Sequence, residues 1–204
     1  MAGLRERQKA DRTRRILEAA STLFRAQGYD AVRLEDIAAA AEVSVGTCYN
    51  YFTTKGELLL AIVSMEVEEV VEAGRALVAS PPADVGQALV GLIRLYYDHS
   101  LHYLSKEMWR KAMAISIEAP ETPFSRHYTQ LDQMLASQVC DLLAALKGRG
   151  LTRPELDPAT IGQIVFQSLN QLFVEFVKDD AMQMAELHRT SAAQTLNHAL
   201  LMRP

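Results

Sequence analysis

Between Ser44 and Lys55 the chain reads SVGTCYNYFTTK, and its outward residues have little use in a core. Val45, Gly46, Thr47, Tyr49, Asn50 and Tyr51 would crowd one short helix with small, hydroxylated, amide and phenolic side chains. Such a face suits a DNA major groove, where a short helix reads base edges by hydrogen bonds and apolar contacts. An asparagine there can bond adenine bidentately. It reads equally well as a solvated side chain, and Asn50 is left at that.

The surrounding residues show what must position this face. Ile37, Ala38 and Ala41 give a preceding helix a small inward side. Val43, Cys48 and Phe52 continue the same core. Small residues matter because two helices crossing steeply must approach closely. Ser44 stands where an N-cap is wanted, since its oxygen can accept a backbone N–H two or three residues on. Thr54 is placed to cap the next helix. Upstream, Ile16, Leu17, Ala20, Leu23 and Phe24 recur at the helical interval, and Gly28 supplies a left-handed stop.

Set out in order, ILEAA, LF and GY, then DIA, VS, GT, Y, YF, K and LL resemble the tetracycline-repressor (TetR) family of bacterial transcription regulators. The resemblance is specific over Thr13 to Leu59 and only architectural beyond. It implies a homodimeric, ligand-responsive regulator, most often a repressor, binding an inverted-repeat operator in double-stranded DNA. By the same resemblance Tyr49 is a groove-edge tyrosine, Thr47 and Tyr51 bond phosphates, and Lys55 is a phosphate contact at a helix N-terminus. Val45, Gly46 and Asn50 lie nearest the bases. Arg33 and Ser44 complete the candidate DNA-binding set.

Two positions depart from the family pattern. The turn between the paired helices usually carries Gly and here carries Glu42. If that turn stays left-handed, Glu42 costs roughly 1–2 kcal/mol. The first helix of the pair usually has a Ser or Thr cap and here begins after Val32-Arg33. A missing cap costs about 1 kcal/mol. Arg33 would compensate by reaching a phosphate, or would simply be a solvated arginine.

Net charge is −4, an awkward total for a DNA binder. Through Lys55, however, nine basic residues meet seven acids. The excess gathers in the first fifteen residues, where Arg5, Arg7, Lys9, Arg12, Arg14 and Arg15 face Glu6 and Asp11. A flexible basic arm beside a helix-turn-helix can reach phosphate or minor groove. Its plainer reading is a solubilising tail.

The rest of the chain keeps the 3.6 period without any alternating strand pattern, giving an all-α fold of about nine helices. Long helices are expected at Lys55–Ser80, Phe124–Lys147, Asp157–Lys178 and Met182–Leu201, with Pro81-Pro82, Pro120 and Pro123 as breaks. Asp157-Pro158 is a cap followed by a first-turn proline. The expected division is a DNA-binding domain at 1–55 and an effector-binding and dimerisation domain at 56–204. The Lys55–Ser80 helix would link them.

Ile161, Val165, Ser168, Leu172 and Phe176, with Leu196 and Leu200, spread over more than one stripe on the last two helices. A helix apolar on two sides is central or shared with a partner. The family resemblance turns this into an expected two-fold interface. It also makes Tyr96, His99, Tyr103, Trp109, Met113, His127, Tyr128, Phe166, Asn170 and Phe173 the candidate lining of an effector cavity. Aromatics with a few polar anchors suit a small apolar or aromatic ligand. Each is also an ordinary core residue in waiting. The body would then serve dimerisation or a protein partner, with no effector.

Other classes find little support. No nucleophile elbow, Gly-rich phosphate loop or metal motif is present, so no enzyme and no cofactor are expected. Cys48 and Cys140 are too few for a disulfide framework. No apolar run reaches the roughly 18 residues of a membrane span. The polar start carries no secretion signal, so a cytoplasmic protein is expected.

Overall fold

The computed structural model describes residues 2–204, with the side chains of residues 2, 4 and 5 left aside. Among these, nine helices and no strand are found: α1 Ala2–Gln27, α2 Leu34–Ala40, α3 Val45–Tyr51, α4 Lys55–Ala79, α5 Val85–His99, α6 Lys106–Glu118, α7 Pro123–Gly148, α8 Pro158–Lys178 and α9 Met184–Leu200.

Local signals start most of them. Side-chain oxygens of Ser44, Asp84, Ser105 and Asp157 accept from the amides of Thr47, Gln87, Met108 and Thr160. Thr54 accepts from Glu57 N at 3.1 Å, while the Glu57 carboxylate reaches back to the amide and hydroxyl of Thr53. Those bonds hold the Glu57 carboxyl below its usual range. α1 ends at Gly28, whose φ of +85° an L side chain rarely adopts.

The basic N-terminal segment differs from expectation. It is helical from Ala2, continuous with α1, and not a flexible arm. The reason is local. Arg14 pairs with Asp11 and Glu18 one turn away on either side, and the segment is rich in good helix formers. Met1 and the side chain of Arg5 lie outside the described residues.

By packing, the chain divides into two units. One holds the described residues up to Met65 together with Tyr103–Tyr128. Its core includes Ile16, Phe24, Ile37, Leu58 and Met108, all 0% exposed. The amide of Tyr29 donates to Glu107 Oε1 (3.2 Å), Lys111 pairs with Asp30 (3.1 Å), and Ser21 Oγ donates to the Tyr103 carbonyl (2.5 Å). α6 therefore belongs with the helix-turn-helix. By packing, the division in this part of the chain falls between Met65 and Glu66, inside α4, and 103–128 is counted with the first unit.

The other unit is Glu66–His102 and Thr129–Pro204. α5 and α9 pack closely at Gly86, where a Cβ would meet Leu196 Cδ2 at 2.8 Å. The buried amide of Gln138 ties three helices together. Its Nε2 donates to the Val71 carbonyl (2.7 Å), and its Oε1 accepts from the Tyr96 hydroxyl (2.8 Å). It fills the space that a Cβ on Gly74 would need. No helix among the described residues is long and apolar enough to cross a membrane.

Candidate nucleic-acid interface

α3 turns two different faces to its surroundings. Cys48 is 0% exposed and Phe52 is 9% exposed, so they anchor the helix from within. Burial pushes the Cys48 thiol up, which leaves it protonated and unreactive. The opposite side presents Val45 and Tyr49, 43% and 41% exposed, with Gly46 and Asn50 also exposed. Exposed apolar surface of this kind, on a short helix with a buried anchor, is shaped for contact. Nothing lies within 4 Å of a Cβ built on Gly46, so the space above it is open.

The ends of the helix are fixed by hydrogen bonds. Ser44 Oγ accepts from Thr47 N at 3.0 Å and sits 2.7 Å from Thr47 Oγ1. Ser44 is thus a cap, and Thr47, half-buried beside it, has its hydroxyl held in place. Tyr51 is half-buried at the C-terminal end. Tyr49 donates its phenolic hydroxyl to Glu35 Oε1 at 3.0 Å, and this bond, ahead of burial, raises the phenol above its ordinary value. Glu35 lies in the first turn of α2 and was absent from the sequence-derived set. A pairing 14 residues away follows from how two helices cross, which no local pattern records.

Lys55 is tied to the loop after α1. Its ammonium donates to the carbonyls of Tyr29 (2.9 Å) and Asp30 (3.0 Å) and stands 4.9 Å from the centre of the Tyr29 ring. Two of its three donors are used this way. Lys111 sits 5.4 Å from the same ring centre. Burial raises the Tyr29 phenol, with Asp30 adding to it.

Arg33 occupies the N-cap position of α2 and has no side-chain oxygen with which to cap it. The Asp36 carboxylate instead accepts from Arg33 N at 3.1 Å. The exposed Arg33 guanidinium, like the cationic ends of Arg7, Lys9 and Arg12, has no ion-pair partner among the described residues. Arg14 and Arg15, by contrast, are engaged with acids and carbonyls of the protein itself.

The candidate cavity residues are drawn from both units. Tyr103, Trp109, Met113, His127 and Tyr128 are in the first unit; Tyr96, His99, Phe166, Asn170 and Phe173 are in the second. Several are plainly structural. Tyr96 is bonded to Gln138, Phe173 stacks on Tyr97 with ring centres 5.9 Å apart, and His127 Nε2 lies 2.9 Å from Ser64 Oγ. His99 Nδ1 is 2.5 Å from Glu66 Oε1, with Glu69 at 3.5 Å from Nε2. Among the described residues no group of three or more His, Cys, Asp or Glu is arranged to hold a metal.

The candidate dimer residues also divide. Leu196 and Leu200 are 46% and 58% exposed, and Ile161, Ser168 and Leu172 are half-buried. Val165 and Phe176, each 1% exposed, fill this protomer's own core, which leaves no surface for a partner. Ile164 on α8 and Leu201, the C-cap of α9, are 51% and 69% exposed.

Comparison with known proteins agrees with this geometry. Residues 16–62 match the family described as bacterial regulatory proteins, tetR family. Over 65 residues the chain is 38% identical to the HTH-type transcriptional repressor KstR of Rhodococcus jostii (strain RHA1), covering 32% of this chain and 31% of that one. The chain thus spans about a third of the length of that relative. Over 184 residues it is 27% identical to the HTH-type transcriptional regulator CymR of Pseudomonas putida, covering 88% of this chain and 86% of that one. In fold it is similar to the Thermus thermophilus repressor FadR in complex with lauroyl-CoA. That likeness has a TM-score of 0.64 and 22% identity, over 92% of this chain and 93% of that one.

Proposed function

We propose that this chain, whose residues 16–62 match the tetR family of bacterial regulatory proteins, acts as a homodimeric transcriptional repressor released from an inverted-repeat operator by a small, mostly apolar effector. The observation that carries the DNA-binding part is the outward face of α3. Val45, Gly46, Tyr49 and Asn50 are exposed together on a helix anchored by buried Cys48. Thr47, Tyr51, Lys55 and Arg33 flank it as phosphate contacts, with Tyr49 at the groove edge.

Dimerisation is supported by exposed apolar residues on the last two helices: Ile164, Leu196, Leu200 and Leu201. Apolar side chains left in water at helical spacing favour a partner surface. Two-fold symmetry then makes the operator an inverted repeat, with half-sites about one DNA turn apart. An effector in the C-terminal body acts only through its differential affinity for two states of the repressor. The FadR neighbour holding an acyl-CoA supports an apolar effector here.

The test is a gel shift with a labelled duplex from the region upstream of this chain's own gene. Tight binding that weakens steeply with salt supports the reading, because phosphate contacts release counterions. Salt-insensitive binding, or none to any nearby sequence, rejects it. A thermal-shift screen with acyl chains and aromatic acids checks the effector. No stabilisation alongside intact DNA binding leaves the body to dimerisation or a protein partner.

A further inference from the structure

The turn between α2 and α3 is held by a residue from outside both helices. Arg15 lies in α1, and its Nη2 donates to the carbonyl oxygens of Ala41 and Glu42, the latter at 3.2 Å. The same nitrogen is 3.6 Å from Glu42 Oε2. Both N–H groups of one nitrogen thereby serve the carbonyls where α2 ends.

That end has an identifiable geometry. Val43 N donates to Ala38 O (3.0 Å), and Glu42 N donates to Ala39 O (3.1 Å). These are the two bonds of a Schellman motif, which places residue 42 at the left-handed position. Glu42 takes it with φ of +54° and is the sole non-glycine residue with positive φ among the described residues. Glutamate is poorly suited here twice over. Its Cβ is strained at that φ, and its carboxylate sits at the negative end of a helix. Arg15 answers both, bonding the turn's carbonyls and bringing a cation to the helix C-terminus. The exposed Arg15–Glu42 ion pair adds little by itself; the bonds to carbonyls carry the effect.

We propose that Arg15 is a positioning residue for DNA recognition: it latches the strained Glu42 turn and so sets the direction in which α3 leaves α2. The role rests on the DNA-binding reading above, yet the latch itself can be measured without DNA. It also separates Arg15 from Arg7, Lys9 and Arg12, which are exposed. Arg15 acts on the protein's backbone and not on a phosphate.

The experiment compares wild type with Arg15→Ala, Glu42→Gly and the double variant. Arg15→Lys serves as a milder form should the alanine variant fold poorly. Amide hydrogen exchange over residues 38–50 reads the turn directly. Arg15→Ala should speed exchange there several-fold, and Glu42→Gly should restore it in the double variant, because glycine needs no latch at positive φ. Binding to the labelled upstream duplex reads the consequence. Arg15→Ala should weaken it about tenfold with the salt slope unchanged, and the double variant should recover to within about twofold of Glu42→Gly. Unchanged exchange in Arg15→Ala overturns the latch. So does a salt slope reduced by about one without rescue by Glu42→Gly, which would make Arg15 a phosphate contact. Failure of the wild type to bind any upstream duplex rejects the repressor reading instead, and the exchange result then decides the latch alone.

Discussion

The Tyr49 hydroxyl and the Glu35 carboxylate are 3.0 Å apart, so the most exposed phenol of α3 is held by an acid on α2. This acid fixes the ring and also places negative charge beside the surface proposed to meet DNA. Replacing Glu35 with Gln keeps an acceptor for the hydroxyl and removes the charge. Operator affinity should rise by about 2–5-fold in 50 mM salt, and the gain should shrink at 200 mM as screening increases. Tyr49→Ala should lower affinity by about tenfold or more, since it removes both stacking surface and a hydrogen bond. Fluorescence anisotropy at the two salt concentrations measures both. Equal affinity of wild type and Glu35→Gln at low salt would count against a DNA-facing role for this pair.

Gly46 separates folding from recognition. Its Cβ position is open, and it lies inside a helix where Ala is preferred by about 0.5–1 kcal/mol. Gly46→Ala should raise the melting temperature slightly. Gly46→Leu should still fold yet lose DNA binding by about tenfold or more, because a bulky residue would hold the helix off the base edges. Thermal melts paired with gel shifts check this. A leucine variant that binds as well as wild type would place Gly46 off the interface.

Asp132, half-buried on α7, supplies a pH signature. Burial raises its carboxyl from 3.8 to about 6. The folded state thus holds a proton that the unfolded chain releases. The resulting stabilisation is complete below pH of about 4 and is lost as pH rises through about 6. Wild type should lose about 1–3 kcal/mol between pH 4 and pH 8 from this group alone. Asp132→Asn should remove that slope and be the more stable protein at pH 8. Denaturant titrations at several pH values would show it, and parallel curves for the two proteins would refute it.

The apolar residues left in water on α8 and α9 predict assembly. Ile164→Glu combined with Leu200→Glu should leave the fold intact, since both side chains are over half exposed in the single chain. Sedimentation should show wild type as a dimer and the double variant as a monomer. DNA affinity should fall steeply, because one half-site gives only part of the contact. Val165→Ala or Phe176→Ala should instead destabilise the protomer, by about 1 kcal/mol and about 3–5 kcal/mol respectively.

What the sequence made legible was local. Ser44, Thr54 and Asp157 announced their helices because a cap and its amide lie three residues apart. Gly28 announced a stop because only its backbone tolerates that φ. The α3 residues proposed to meet DNA were readable for the same reason: their exposure follows from helical spacing against Cys48. Relationships between distant helices were not readable. Glu107 joins Tyr29 across 78 positions and draws α6 into the unit of the helix-turn-helix. Arg15 looked like one of six equivalent bases, and only its contact with the Glu42 turn distinguishes it. The helical start of α1 was masked by charge, because a basic run reads as an arm until its i, i+4 partners are counted. Val165 and Phe176 show the same limit from the other side. An apolar stripe tells that a face is buried and is silent on whether its own chain or a partner covers it.

The Gln138 amide, wedged where a Cβ on residue 74 would stand, carries a consequence for how this chain can change through descent. No single substitution at position 74 is accessible while Gln138 keeps its bonds to Val71 and Tyr96. Shortening Gln138 first would cost the buried Tyr96 hydroxyl its 2.8 Å partner and leave it the longer bond to the Leu135 carbonyl at 3.3 Å. Positions 74, 96 and 138 are therefore expected to be inherited as a block, changing together or not at all, while the outward face of α3 remains free to drift toward new operators.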